Sequence, residues 1–220
     1  MNRRVLIIFT IVSTIISLSI ILFSYFGISR YITLRNETDS QKHIEQYKKL
    51  EHHNPKSKVV VSLSTTPEKI EKIRPMINSI LDQTVRVDKI ILIAKDENKV
   101  PSYLRKIAII FPFEKDYGRG NKLIPLLFKE KECDTTIIAL DDNVIYGKDF
   151  IEKMLEERDK NPETVLVDSK KTSILIKPEY YGCEVLKRDR KRYDEKWFLE
   201  NAKKSKIVNY KENYRFFENL

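Results

Sequence analysis

Residues 5–28 form a run of 24 positions without a charge or a proline. In a bilayer, a spanning segment must satisfy its own backbone hydrogen bonds, so a run of this kind can only be a helix. At 1.5 Å per residue it measures roughly 36 Å, enough to cross a hydrocarbon core of about 30 Å. The rival reading is a cleaved signal peptide, whose apolar region is about 7–15 residues long and ends at a small-residue site. This run is longer, and it closes on Phe23, Tyr25 and Phe26, which suit a membrane interface. It is therefore read as a transmembrane signal-anchor. Arg3, Arg4 and the terminal amine favour a cytosolic N-terminus, while Arg30, Arg35 and Lys42 pull the other way. The first flank is denser, which implies a single-pass type II membrane protein with a luminal or extracytoplasmic C-terminal domain. The sequon Asn36-Glu37-Thr38 fits that side of the membrane in a eukaryotic host.

Around the anchor the chain divides into a flank at 1–4, a polar stem at 29–57 and a domain at 58–220. The net charge is 41 − 32 = +9. Residues 1–50 contribute 7 − 3 = +4 of it, which leaves the domain only mildly basic. Nucleic acid is not expected as a partner on that balance. Three His, at 43, 52 and 53, all precede the first strand, so a multi-His metal site or a His-based triad within the domain is not expected. Two Cys exclude a disulfide-stapled miniprotein and a Cys-rich zinc site. Cys133 and Cys183 read more readily as unrelated thiols, although an oxidising lumen would allow them to pair. Catalysis must then rest on carboxylates, hydroxyls and cations.

From residue 58 onward, β-branched apolar runs alternate with helical spacing. Runs at 58–64, 89–94, 107–111 and 135–140 read as buried strands, followed by further strands at 164–167 and 172–176. Ile70, Ile73, Ile77, Ile80 and Leu81 follow helical spacing, with Pro75 set to kink or divide the helix. Shorter helices are expected at 103–106 and 123–129, one from Phe150 stopping before Pro162, and one over 194–203. The pattern predicts an α/β fold with a mainly parallel sheet flanked by helices. Ligands of such sheets sit beyond the carboxyl ends of the strands. One rim should therefore collect Ser64-Thr65-Thr66, Lys95-Asp96-Glu97, Asp116-Tyr117 and Asp141-Asp142-Asn143.

The last of these is the sharpest signal. Two carboxylates at a strand end repel each other and lose hydration, and a divalent cation relieves both problems. All-oxygen ligands select a hard ion, Mn²⁺ or Mg²⁺, which keeps waters and bridges to phosphates. Asp-Asp-Asn is also good turn chemistry, so a solvated turn is the bland alternative.

Four blocks raise the weight of the functional reading. They are Val59-Val-Val-Ser-Leu-Ser-Thr-Thr-Pro-Glu-Lys-Ile70, Pro75-Met-Ile-Asn-Ser-Ile-Leu-Asp-Gln83, Asp116-Tyr-Gly-Arg-Gly-Asn-Lys-Leu-Ile-Pro125 and Ile137-Ile-Ala-Leu-Asp-Asp-Asn-Val-Ile-Tyr146. In this order, and across most of residues 58–150, they resemble the GT-A glycosyltransferases, in particular small family-2-like enzymes of viruses and bacteria. The resemblance implies a nucleotide-sugar donor, a UDP-sugar being favoured, and a glycan, lipid or protein acceptor. It implies that Thr65 and Thr66 line the nucleotide pocket and that Asp96 or Glu97 meets base or ribose. Asp116 would approach the nucleotide, and Lys122 the diphosphate or the loop that carries it. Asp141-Asp142-Asn143 would be the acidic metal motif, with Asp142 and Asn143 as ligands; the family usually carries Asp where Asn143 stands. Arg119 adds a cation near the expected diphosphate.

The second half resembles the family less. Tyr193-Asp-Glu-Lys-Trp-Phe198 is similar to the segment that carries the catalytic base in inverting members, which makes Asp194 or Glu195 the candidate. A helix N-terminus with Trp197 in the core is the equal alternative. No Gly-rich acceptor loop follows the acidic motif, so a non-catalytic GT-A-like binding module is carried as the second reading. The basic cluster at 187–192 would serve a polyanion-binding protein. A nucleotidyltransferase with a similar sheet is the remaining alternative.

Overall fold

Strands that are apolar on both sides of the pleat need cover on both faces of the sheet, and the runs from residue 59 onward find it. The computed structural model describes residues 3–25, 28–52, 58–112, 115–130, 132–170, 172–181, 205–208 and 214–215. Three helices come first: α1 (Arg3–Tyr25), α2 (Ile28–Asn36) and α3 (Gln41–Tyr47). The alternating part follows with β1 (Val59–Thr65), α4 (Arg74–Leu81), β2 (Lys89–Ala94), α5 (Ser102–Arg105) and β3 (Ile109–Pro112). It continues with α6 (Ile124–Lys129), β4 (Thr136–Leu140), β5 (Val144–Ile145) and α7 (Phe150–Lys160), then β6 (Val165–Asp168), β7 (Ser173–Ile176), β8 (Ser205–Val208) and β9 (Tyr214–Arg215).

Seven strands make one sheet in the order β3-β2-β1-β4-β7-β6-β8, and β5 pairs with β9 separately. Every pairing in the large sheet is parallel except those of β7, which runs against both β4 and β6. The expected α/β fold with a mainly parallel sheet is thus present, with one reversed strand inside it. Successive residues of β1 serve opposite faces, as the pleat requires. Val59, Val61 and Leu63 pack with Ile77, Ile80 and Leu155, while Val60 packs with Ile124, Leu127 and Ile137. Pro75 divides its helix as expected. A short 3-10 turn at Ile70–Lys72 precedes α4, and the proline sits in the first turn of α4, where its missing N–H costs nothing.

The stretch read as a polar stem packs against this sheet. Leu34, Ile44 and Tyr47 are buried, and the Tyr47 hydroxyl accepts the Val87 N–H at 2.9 Å. Arg30 of α2 pairs with Asp82 at 2.7 Å and donates to the Tyr146 carbonyl at 2.8 Å. Asn78 of α4, fully buried, closes the junction. Its amide donates to the carbonyls of Leu34 and Glu37 at 3.4 and 3.2 Å, and its Oδ1 accepts the Ser40 hydroxyl at 2.8 Å. Helix α1 stands apart with its side chains exposed, long and apolar enough to cross a membrane.

Asn78→Ala removes the donor to two carbonyls and the acceptor of the Ser40 hydroxyl, which keeps Arg74 alone at 3.3 Å. The expected cost is about 2 kcal/mol, read as a lowered denaturant midpoint of the full chain in detergent by circular dichroism.

Candidate functional site

Strand order reverses between β1 and β4. The chain after β1 builds outward to β2 and β3, whereas β4 starts the growth toward β7, β6 and β8. The carboxyl ends of two strands that diverge in this way leave a crevice. Leu63 of β1 is in register with Leu140 of β4, so Ser64-Thr65-Thr66 and Asp141-Asp142-Asn143 leave the sheet side by side. The 3-10 segment Gly118–Lys122, which follows β3, supplies a third wall. The result is a cavity of about 530 Å³.

Of the residues assigned in advance to donor and metal, Thr65, Thr66, Asp116, Lys122, Asp141, Asp142 and Asn143 all line this cavity. Asp96 does not. It caps the 3-10 turn Glu97–Lys99, where its Oδ1 accepts the Asn98 N–H at 3.0 Å. Asp194 and Glu195 lie outside the described residues, as do the basic cluster at 187–192, Trp197 and the helix expected over 194–203. Arg119, expected near the diphosphate, lines the cavity too, and Lys69 joins the set as a residue not assigned in advance. Lys69 has a local cause that was open to sequence reading: Thr66-Pro67 starts a turn in which Lys69 N–H bonds back to the Thr66 carbonyl at 3.0 Å. That turn folds the Lys69 side chain over the crevice.

Each acidic group is held by a different device. Lys122, only 4% exposed, places its Nζ 2.5 Å from Asp141 Oδ1. Thr65 donates its hydroxyl to Asp142 Oδ2 at 2.9 Å. Burial holds the Asp142 carboxyl above its ordinary range, opposed by the Thr65 hydrogen bond and Lys69 and reinforced by Asp141. Asp116 Oδ1 accepts from Asn121 Nδ2 at 2.9 Å and from Gly118 N–H at 2.8 Å, and these bonds hold its carboxyl below the ordinary range. Asn121 Oδ1 in turn accepts the Tyr117 N–H at 2.7 Å, which ties the loop to itself. The Thr66 hydroxyl bonds the Glu68 carboxylate and lowers its pKa.

Behind the acidic turn stands a support that no motif announced. The Asp141 N–H donates to the Thr172 carbonyl at 2.9 Å and to the Tyr146 hydroxyl at 2.8 Å. That hydroxyl donates to the Thr172 carbonyl at 3.0 Å, and burial pushes its pKa well up, so it stays a neutral donor. Thr172 is fixed by Asp168, which is fully buried and accepts the Thr172 N–H at 2.6 Å, the Ser173 N–H at 2.8 Å and the Thr172 hydroxyl at 3.0 Å. The hairpin from β6 to β7 is therefore the footing of the acidic turn.

Three cations, Lys69, Arg119 and Lys122, face three carboxylates, Asp116, Asp141 and Asp142. Lys122 is paired with Asp141. Among the described residues no group of three or more His, Cys, Asp or Glu is placed to hold a metal ion. Asp142 keeps one oxygen free of Thr65, and Asn143 offers an amide oxygen. These all-oxygen donors fit a hard divalent ion that takes its remaining ligands from phosphate and water. They do not enclose one alone.

No protein-family model matches the sequence, and no curated protein matches it. Among solved structures, residues 1–349 of TarS from S. aureus align with a TM-score of 0.51 at 12% identity, over 71% of this chain and 59% of that one. A second TarS structure aligns with a TM-score of 0.49 at 14% identity, over 71% of this chain and 36% of that one. TarS is a glycosyltransferase. The fold is GT-A-like. The chain spans less than two thirds of the length of either TarS structure.

Cys133 is disulfide-bonded, and the only other cysteine of the chain is Cys183. Cys133 is thus not a free thiol, against the reading of unrelated thiols, and Cys183 lies outside the described residues.

Gly118 has φ +58°, and a Cβ built on it meets nothing within 4 Å. Gly118→Ala therefore costs only the left-handed backbone, about 1–2 kcal/mol, and Gly118→Asn less. Thermal unfolding of the two variants would return that order; equal costs would show that the loop relaxes instead.

Proposed function

We propose that the chain is a membrane-anchored glycosyltransferase that moves a sugar from a nucleotide-sugar donor, a UDP-sugar being favoured, to a glycan, lipid or protein acceptor. The observation that carries this reading is the cavity at the β1/β4 reversal, walled by hydroxyls, carboxylates and the cations Lys69, Arg119 and Lys122. Its volume of about 530 Å³ lies in the usual range for small-molecule sites, roughly 300–1,000 Å³. The GT-A-like fold supports the assignment.

In this reading Thr65, Thr66 and Asp116 receive the nucleoside. Lys69 and Arg119 meet the diphosphate oxygens. Lys122 holds the Asp141 carboxylate in place beside the donor through their 2.5 Å contact. Asp142 and Asn143 would hold Mn²⁺ or Mg²⁺, which when bound supplies charge neutralisation to the leaving diphosphate. The acceptor oxygen attacks the anomeric carbon as the bond from that carbon to the diphosphate oxygen breaks. The electron pair leaves on the nucleoside diphosphate, and the acceptor proton passes to Asp194 or Glu195, inverting the anomeric centre.

Helix α1 serves as the anchor in this reading. The bonded state of Cys133 supports a domain on the oxidising side of the membrane, since disulfides persist in such compartments. One observation favours a second reading, a non-catalytic GT-A-like binding module: Asn143 puts a neutral amide where the family usually carries a carboxylate.

The deciding experiment titrates UDP into the full chain in detergent, with and without Mn²⁺, and then supplies UDP-sugars. Mn²⁺-dependent binding with sugar transfer or hydrolysis supports the enzyme, and binding without turnover supports the module. Asp142→Ala should abolish metal-dependent donor turnover. Its unfolding free energy should stay within about 1 kcal/mol of the parent, the value of the lost Thr65 hydrogen bond. Full activity in that variant would sink the metal assignment.

A further inference from the structure

Helix α2 carries two unlike faces. The inner face is Arg30 and Leu34, one turn apart, bound to Asp82, Tyr146 and α4 as described. The outer face is Ile28, Tyr31, Ile32 and Arg35, at the spacing i, i+3, i+4, i+7 that places four residues on one stripe of a helix. Ile28 and Ile32 are 38% and 43% exposed. Arg35 donates to the Tyr31 hydroxyl at 3.0 Å, and its guanidinium lies 5.9 Å from the centre of the Tyr31 ring. The Thr33 hydroxyl turns back onto the Ser29 carbonyl at 2.9 Å. The helix contains two arginines and no acid. An outward stripe of isoleucine, tyrosine and arginine is the composition of a helix lying in a membrane interface, with apolar groups at the acyl boundary and cations among phosphates.

Position along the chain makes the same case independently. Only Phe26 and Gly27 separate the end of α1 from Ile28. Three residue steps span at most about 11 Å between Cα atoms, whatever their conformation. The headgroup zone on each side of a 30 Å hydrocarbon core is roughly 5–7 Å deep. If α1 crosses the bilayer, α2 starts in that zone or next to it.

We propose that the outer face of α2 lies in the headgroup layer of the bilayer that α1 crosses, and that the phospholipid surface is its partner. The inner face then seats the domain directly on the membrane, one helix diameter away, with the Arg30 to Tyr146 hydrogen bond joining the seat to the acidic turn. The proposal rests on the anchor and is independent of the transferase chemistry.

The test is spin-label accessibility. Cys133 is bonded, and label taken up by the parent chain is subtracted as background, so the signal of each variant comes from its single introduced cysteine. Ile28→Cys, Ile32→Cys and, on the exposed turn after β2, Asn98→Cys are made in the full chain. Each is reconstituted into vesicles of phosphatidylcholine and phosphatidylserine. The expected result is a loss of collisions with a water-soluble nickel complex at 28 and 32 relative to 98, with oxygen collisions retained. Equal nickel collisions at the three positions, in protein that floats with the vesicles, overturn the seat and leave the anchor standing. Protein that fails to float with them overturns the anchor and the seat together. Variants that melt with the parent in detergent exclude misfolding as the cause of either result.

Discussion

The parallel pairing of β1 with β4 is the constraint on which the rest of this molecule depends. These two strands sit where the chain changes its direction of growth, so the loops that leave them diverge and open a crevice. Their register sets Thr65 against Asp142 with a 2.9 Å hydrogen bond, which no local preference of either loop would secure. A slip of one residue would exchange the side chains of β1 between the two apolar layers, each packed against its own partners, and would part Thr65 from Asp142.

Electrostatics at the crevice follow from that arrangement. Two adjacent carboxylates at a buried strand end are unfavourable on their own, and each is relieved by a neighbour brought from elsewhere in the sequence. Lys122 comes from the segment after β3, and Thr65 from the end of β1. The turn is further pinned from behind by the Tyr146 hydroxyl and the Thr172 carbonyl, which stand on the Asp168 hairpin. Because β7 runs against its neighbours, its first residue and not its last reaches the working rim. One reversed strand thus converts a hairpin turn into a footing.

Much of the sheet was legible in the chain, for a physical reason. Strands apolar on both faces stand out as β-branched runs, and polar residues placed directly after them fall on the ligand-binding rim. Asp96 shows the limit of that rule. It follows β2 one strand away from the reversal, and there its carboxylate caps its own turn. Tyr146 and Asp168 escaped notice because their roles depend on burial and on the turn between β6 and β7, which composition does not reveal. The stretch at 29–57 looked like a stem because its polar surface is genuine. The few residues that dock it, Arg30, Leu34, Ile44 and Tyr47, are too sparse to form a pattern.

Docking of α2 has a consequence for biosynthesis. Arg30 bonds to Asp82 and to the Tyr146 carbonyl, 52 and 116 residues further along the chain. At about 5–20 residues per second, translation delivers Tyr146 roughly 6–23 seconds after Arg30. Asp82 and α4, the other partners of the inner face, follow Arg30 by about 52 residues, so for roughly the first 3–10 seconds its guanidinium and its leucine have no partner within the chain. A helix that emerges so early and docks so late needs a surface to rest on while the sheet is made.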